Sequence, residues 1–218
     1  MTDIRPFEFA VANEELDDLT RRLKHTRWPE KETPNDWSQG VPLAYLRDVC
    51  AYWSSDYDWR RCEAALNAVP QFITELDGLD IHFIHQRSKH AHARPLLITH
   101  GWPGSLIEFN KVIEPLVDPC SHGGQAEDAF HVVCPALPGF GFSAKPEQTG
   151  WGVERIARAW ASLMARLGYD AYLAQGGDWG SIVTSLIGKH DADPVLAIHK
   201  NMPVRPPDPA PRHAHRPR

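Results

Sequence analysis

The chain has 218 residues, of which 42% are hydrophobic, and this length suffices for one domain with a substantial core. Its net charge of −5 and pI near 6.2 argue against the basic face that nucleic-acid binding requires. No apolar stretch approaches the roughly 20 residues that span a bilayer, and the N-terminus lacks a secretory signal pattern, so we expect a soluble cytoplasmic protein without membrane or nucleic-acid partners.

The N-terminal third predicts a helical extension, which we assign to residues 1–70. A first helix is expected to be capped by Asn13, because leucines recur on one face after it and acidic residues occupy its first turn. A second helix is expected to carry Pro42 in its first turn, and a third to span residues 58–67.

The middle of the chain predicts an α/β sheet. Residues 72–76 and 79–84 form a hairpin across the turn dipeptide Asp77-Gly78. Residues 95–99 and 130–135 are apolar runs typical of buried parallel strands, with a helix expected around 106–116 and a polar loop over 118–129.

The remaining elements continue the same alternation. Residues 151–167 predict an amphipathic helix capped by Gly168, followed by a strand at 172–174, a helix at 182–187 and a strand at 195–198. This order predicts part of a mostly parallel, doubly wound α/β sheet over residues 71–202. Residues 203–218 are rich in Pro, Arg and His and predict a disordered tail.

The segment between the strand at 172–174 and the following helix is the main functional signal. Gly176 and Gly180 flank Asp178 in the small-x-nucleophile-x-small pattern of a strand–turn–helix nucleophile elbow. A carboxylate at the tip suits displacement at an sp³ carbon, which forms an alkyl ester that water then cleaves. The alternative is that Asp178 is only a helix N-cap.

A second signal follows the strand at 95–99. The segment His100-Gly101-Trp102-Pro103-Gly104-Ser105 has the position of the loop that donates one backbone N–H to an oxyanion hole. The residue after the nucleophile donates the other, so Trp102 and Trp179 are the predicted donors. The alternative is a plain Gly/Pro turn after a strand.

These two segments, together with Pro138-Gly139-Phe140-Gly141-Phe142-Ser143, resemble α/β-hydrolase-fold epoxide hydrolases. The N-terminal segments 4–7, 27–29, 57–60 and 72–83 resemble the N-terminal domain of the microsomal-type branch. The resemblance implies an epoxide hydrolase with Asp178 as nucleophile, Trp102 and Trp179 as oxyanion-hole donors, and a small-molecule epoxide as substrate. It also implies substrate contacts from four residues: His100, Gly101, Pro103 and Phe140.

No cofactor or metal is expected. The resemblance implies none, and the four cysteines show no Cys-x-x-Cys spacing, which indicates free thiols instead of a disulfide frame or zinc site. Those cysteines are Cys50, Cys62, Cys120 and Cys134.

The family's catalysis implies further groups after the nucleophile: a cap with two tyrosines, an acid and a histidine. No tyrosine follows Tyr172, and His213 and His215 lie in the predicted tail, so we leave these roles unassigned. We therefore expect a truncated chain that is weakly active or inactive. A non-catalytic remnant or binding fragment, able to self-associate through an exposed sheet edge, is one alternative. A haloalkane dehalogenase is another, although the N-terminal extension counts against it.

Overall fold

The structure is a computed structural model that describes residues 3–204. The chain divides into two compact units, one formed by Glu8–Ala68 and the other by the residues before and after that segment. The short strand at Arg5–Pro6 therefore belongs to the same unit as the sheet, and not to the helical unit. The predicted tail over 203–218, with His213 and His215, falls almost wholly outside the described residues. None of the described helices is long and apolar enough to cross a membrane.

The unit Glu8–Ala68 contains three helices, α1 (Asn13–Lys24), α2 (Leu43–Ser55) and α3 (Trp59–Asn67). Two predicted helix starts were wrong by one residue. Ala12 is the N-cap of α1, and the Asn13 side chain instead accepts a hydrogen bond from Arg60 Nη2 at 2.5 Å. Pro42 is the N-cap of α2 and not part of its first turn.

The sheet unit contains seven strands: β1 (Arg5–Pro6), β2 (Gln71–Leu76), β3 (Leu79–Gln86), β4 (Arg94–Thr99), β5 (Phe130–Pro135), β6 (Tyr172–Gly176) and β7 (Val195–Lys200). They lie in the order β1-β2-β3-β5-β4-β6-β7. The β1–β2, β2–β3 and β3–β5 pairs are antiparallel, and the pairs among β5, β4, β6 and β7 are parallel. The predicted hairpin and parallel strands are confirmed.

Helices cover the two faces of the sheet unequally. On one face α5 (Val153–Arg166) and α6 (Trp179–His190) bury a large cluster centred on Trp160, Leu163 and Met164. On the other face lie a 3-10 turn over Leu106–Phe109 and the short helix α4 (Ile113–Val117). A single helix over 106–116 was therefore wrong. Pro115 lacks a backbone N–H and is tolerated only near a helix start, so α4 begins just before it.

Among the described residues, the β7 edge of the sheet is exposed. Leu196 and Ile198 of β7 are 58% and 43% exposed. A groove of about 750 Å³ runs beside this edge on the α4 face of the sheet. Its floor comes from β4, β6 and β7 and its wall from the α4 region: Leu96, Ile98, Leu173, Ala197, Phe109, Val112 and Leu116.

Candidate active site

The predicted elbow joins β6 to α6 through a strained turn. Asp178 has φ +51° and ψ −125°, a backbone conformation that a residue other than glycine adopts only when its surroundings enforce it. Asp178 is the residue before the first turn of α6, yet its side chain makes no capping hydrogen bond to that helix. The carboxylate is turned elsewhere, so the side chain does not act as the helix cap considered from the sequence.

Two glycines permit this turn because the backbone passes close to neighbouring chain on both sides. A Cβ added to Gly180 would lie 2.1 Å from the carbonyl oxygen of Thr99, at the end of β4. A Cβ added to Gly176 would lie 2.1 Å from the carbonyl oxygen of Gly180. Both distances are far inside van der Waals contact with backbone atoms that cannot rotate away, so only glycine fits at either position.

The carboxylate of Asp178 points at the loop after β4. The backbone N–H of Trp102 donates to its Oδ1 at 2.8 Å. The backbone N–H groups of Trp102 and of Trp179 both stabilise the anion, and they lower the pKa of the carboxyl below its ordinary value. The structure thus brings both predicted donors next to the predicted nucleophile, and the Trp102 N–H hydrogen-bonds to its Oδ1.

The loop around Gly101 and Pro103 has the tight geometry that this contact requires. A Cβ on Gly101 would lie 2.4 Å from the Cβ of Asp178, so glycine is needed for the two segments to approach. The Trp102–Pro103 peptide bond is cis, and the N–H of Gly104 donates to the carbonyl of Gly101 at 3.0 Å. This turn aims the N–H of Trp102 at the carboxylate.

His100 is buried behind the loop and both of its ring nitrogens bond to backbone groups. Nδ1 donates to the carbonyl of Gly101 at 2.9 Å, and Nε2 accepts from the N–H of Leu137 at 3.0 Å. Burial lowers the pKa of the ring, which agrees with a neutral imidazole. His100 therefore joins the loop after β4 to the loop after β5.

Phe140 lies on that second loop, half-buried, with its ring centroid 5.6 Å from that of His100. The predicted substrate contacts from His100, Gly101, Pro103 and Phe140 stay predictions, and for His100 the ring nitrogens are already engaged. The structure brings all four residues to the same end of the parallel strands as Asp178, where ligands bind in open α/β sheets.

Sequence reasoning overlooked the contacts that tie β7 to the elbow. Ser181 Oγ donates to the carbonyl of Met202 at 2.7 Å, and the N–H of Asn201 donates to the carbonyl of Gly176 at 3.2 Å. The first contact could have been suspected from the sequence, because Ser181 carries a hydroxyl one helical turn after Asp178. No sequence pattern indicates the second, because it depends on strand register.

The site is open to solvent. Asp178 is exposed and Trp102 is 65% exposed. Among residues 3–204, no histidine ring and no second carboxylate hydrogen-bonds to Asp178. The arrangement can hold and orient an anionic nucleophile, but the described residues supply no group that activates water beside it.

Comparison with known proteins shows the family that the chain resembles. The epoxide hydrolase N-terminus family model matches residues 4–109, and the alpha/beta hydrolase fold model matches residues 94–216. A putative epoxide hydrolase of Stigmatella aurantiaca is 59% identical over 92% of this chain and 46% of its own length. Epoxide hydrolase 1 of Oryctolagus cuniculus is 38% identical over 91% of this chain and 45% of its own length.

Among solved structures, the juvenile hormone epoxide hydrolase of the silkworm Bombyx mori superposes with a TM-score of 0.82 at 32% identity. That superposition covers 93% of this chain and 53% of the silkworm chain. The chain thus spans about half the length of the curated relatives it matches. With the parallel sheet and the elbow in place, the chain belongs to the α/β-hydrolase fold family and carries the epoxide hydrolase N-terminal region at its start.

Proposed function

We propose that this protein opens epoxides through a covalent ester on Asp178. The observation that carries the proposal is the contact between the Asp178 carboxylate and the N–H of Trp102 across a strained elbow. A carboxylate held anionic at a sharp turn suits attack on an sp³ carbon. The relatives named epoxide hydrolases support the choice of an epoxide as the electrophile.

The two carboxylate oxygens have separate tasks. Oδ1 is held by the Trp102 N–H, and the opposite oxygen attacks an epoxide carbon. The carbon–oxygen bond of the ring breaks, and the released oxygen keeps the electron pair and takes a proton from an acid or water. The product is a hydroxyalkyl ester whose carbonyl oxygen stays beside the N–H groups of Trp102 and Trp179.

Those N–H groups then stabilise the second step. Water adds to the ester carbonyl, and negative charge develops on the oxygen that the two N–H groups face. Collapse of this intermediate releases a vicinal diol and restores the carboxylate. Because the described residues place no histidine against Asp178, we propose that this chain alone forms the ester faster than it hydrolyses it, so that turnover is weak or absent.

The test is intact-mass analysis after incubation with styrene oxide. Free thiols also react with epoxides, so Cys50, Cys62 and Cys120 are first blocked with N-ethylmaleimide under native conditions, in which burial shields Cys134. We expect one adduct that hydroxylamine removes, because hydroxylamine cleaves esters and leaves thioethers and ethers intact. The matched control is Asp178→Asn, which keeps the size and the turn preference of the side chain but lacks the anion.

An adduct that persists in Asp178→Asn, or that resists hydroxylamine, would contradict the proposal. Diol formed by the pure chain at many turnovers would support the ester chemistry but would contradict the expected stall. Both are measured in the same incubation, by mass of the protein and by chromatography of the small molecules.

A haloalkane dehalogenase would use the same nucleophile on a carbon–halogen bond. The match of residues 4–109 to the epoxide hydrolase N-terminus favours the epoxide. We therefore expect no halide release from 1,2-dibromoethane under conditions in which styrene oxide forms the ester. Halide release with no epoxide adduct would reverse this assignment.

A second candidate function, binding without catalysis, follows from the exposed edge of the sheet. We propose that two copies of this chain associate by pairing their β7 strands, because β7 is the outermost strand of the sheet among residues 3–204 and its Leu196 and Ile198 are exposed. Sedimentation velocity is expected to show a concentration-dependent dimer that Leu196→Lys weakens. A monomer at all concentrations would contradict it.

A further inference from the structure

The loops at the opposite end of the sheet from Asp178 contain a cluster of metal-binding residue types. We propose that His90, Asp118 and Cys120 form an exchangeable site for a borderline-soft divalent cation such as Zn²⁺. One ligand atom from each residue lies within 4.8 Å of the others. The loops that carry them precede β4 and β5, whereas Asp178 follows β6, so the cluster lies away from the proposed active site.

The cluster is preformed by hydrogen bonds between the two loops. Ser88 Oγ donates to the carbonyl of Val117 at 2.6 Å, and the N–H of His90 donates to Ser88 Oγ at 3.1 Å. Ser121 Oγ donates to Asp118 Oδ2 at 2.8 Å. These contacts hold His90 Nε2 at 3.1 Å from Asp118 Oδ1, a separation close to that between two ligands of one tetrahedral metal ion.

The donor set indicates the class of cation. An imidazole nitrogen, a carboxylate oxygen and a thiol sulfur together match zinc and related transition ions, whereas Mg²⁺ and Ca²⁺ prefer oxygen alone. On binding, the metal forms a bond to Cys120 Sγ and the thiol proton passes to solvent. The carboxylate and thiolate then balance the charge of the ion, and water takes the fourth position.

Lys89 occupies the cation's place in the structure. Its Nζ lies 2.6 Å from Asp118 Oδ2, one of the proposed metal ligands. The lysine side chain is 68% exposed, so it can leave for solvent when a metal enters, at the small cost typical of a surface ion pair. The ammonium group therefore competes with the metal, and its removal is expected to tighten metal binding.

The test is titration of the untagged 218-residue chain with Co²⁺, followed by back-titration with Zn²⁺. Because His213 and His215 could bind metal independently, all variants carry His213→Asn and His215→Asn. We expect a near-ultraviolet band from thiolate-to-cobalt charge transfer that Zn²⁺ abolishes. Cys120→Ser removes this band, and Asp118→Asn weakens binding ~10-fold or more, as loss of a ligand commonly does.

Two controls separate a built site from adventitious binding. Cys62→Ser, which alters another free thiol, is expected to leave the band unchanged. Lys89→Met is expected to lower the Co²⁺ dissociation constant severalfold, an effect that general loss of structure would not produce. Absence of the band, its survival in Cys120→Ser, or weaker binding in Lys89→Met would each overturn the proposal.

Discussion

The elbow follows β6, and β7 beside it forms one edge of the sheet. The elbow is closely packed, whereas the β7 edge is exposed. At the elbow the N–H of Trp102 meets the carboxylate of Asp178 and the glycines fit against adjacent backbone. At the edge, Leu196 and Ile198 are exposed and an apolar groove stands open beside them. Among the described residues, β4, β6 and their loops therefore suffice to hold the Asp178 carboxylate in a fixed position, while β7 stays exposed.

The largest expected effect comes from breaking the close packing at the elbow. Gly180→Ala places a methyl group 2.1 Å from the Thr99 carbonyl oxygen, so the loop after β4 or the start of α6 must shift. We expect a loss of ~3 kcal/mol in the free energy of unfolding, together with loss of the Asp178 ester. Urea denaturation measures the first and intact mass the second.

The matched control for this change is Gly177→Ala. Position 177 lies in the same turn, but its added Cβ would be 3.7 Å from the nearest side-chain atom, which is ordinary contact. We expect a stability change within ~0.5 kcal/mol. Equal losses in the two variants would show that the elbow is not limited by the Gly180–Thr99 contact.

A smaller loss is expected when the link between the two loops is removed. His100→Phe fills the volume but leaves the carbonyl of Gly101 and the N–H of Leu137 without their buried partner. We expect a loss of ~2 kcal/mol in the free energy of unfolding and slower ester formation, because the Trp102 N–H is less well aimed. His92→Phe, at an exposed histidine, serves as the control. Unchanged ester formation in His100→Phe would contradict the positioning role.

Acid sensitivity is expected to arise from buried histidines, chiefly His82 and His85 of the sheet, and not from the Asp178 carboxylate. Burial lowers the pKa of His82 and of His85 to about 4, whereas both titrate near 6.5 in the unfolded chain. The unfolded state therefore binds protons first, and stability falls as pH drops from about 6.5 to about 4. At about 1.4 kcal/mol per pKa unit for each histidine, we expect a loss of several kcal/mol over that window, with a shallower slope in His85→Gln. A flat profile would contradict it.

The rate of ester formation at the elbow is expected to be independent of pH over the same range. The pKa of Asp178 is lowered, so the nucleophile stays ionised well below neutral pH. The rate of ester formation should therefore remain constant from pH 8 down to pH 5 while the protein stays folded. A rate that falls through this range would show that a second titrating group takes part.

The smallest expected effect on stability comes from the edge. Leu196→Lys and Ile198→Lys replace exposed side chains, so each should change the free energy of unfolding by ~0.5 kcal/mol or less while weakening self-association. Dynamic light scattering of both variants beside the parent chain measures the second effect. A large stability loss would indicate that these side chains pack more closely than their exposure implies.

Sequence reasoning succeeded where local chemistry determines structure. The Asp77-Gly78 turn, the apolar parallel strands and the glycine spacing around Asp178 all reflect short-range constraints, and the fold class that they predicted is confirmed. It failed at the helix over 106–116, where Pro115 interrupts the pattern, and at Asn13, where a distant arginine takes the side chain.

The parts of the site that could not be predicted depend on contacts between distant segments. The double hydrogen bonding of His100 requires the loop after β5 to lie beside the loop after β4, and this follows only from strand order. The cluster of His90 with Asp118 likewise joins two loops that share no sequence pattern. The spacing of a motif predicts contacts only between residues that are close in the sequence. These contacts instead join distant segments and depend on the assembled sheet.

We propose above all that the elbow alone forms a covalent ester on Asp178. The most direct measurement is peptide mapping by tandem mass spectrometry of the thiol-blocked chain after reaction with styrene oxide. We expect one modified peptide, with the added mass on Asp178, that disappears in Asp178→Asn. Modification of other carboxylates to a similar extent, with Asp178 unmodified, would show that the elbow does not act as a nucleophile.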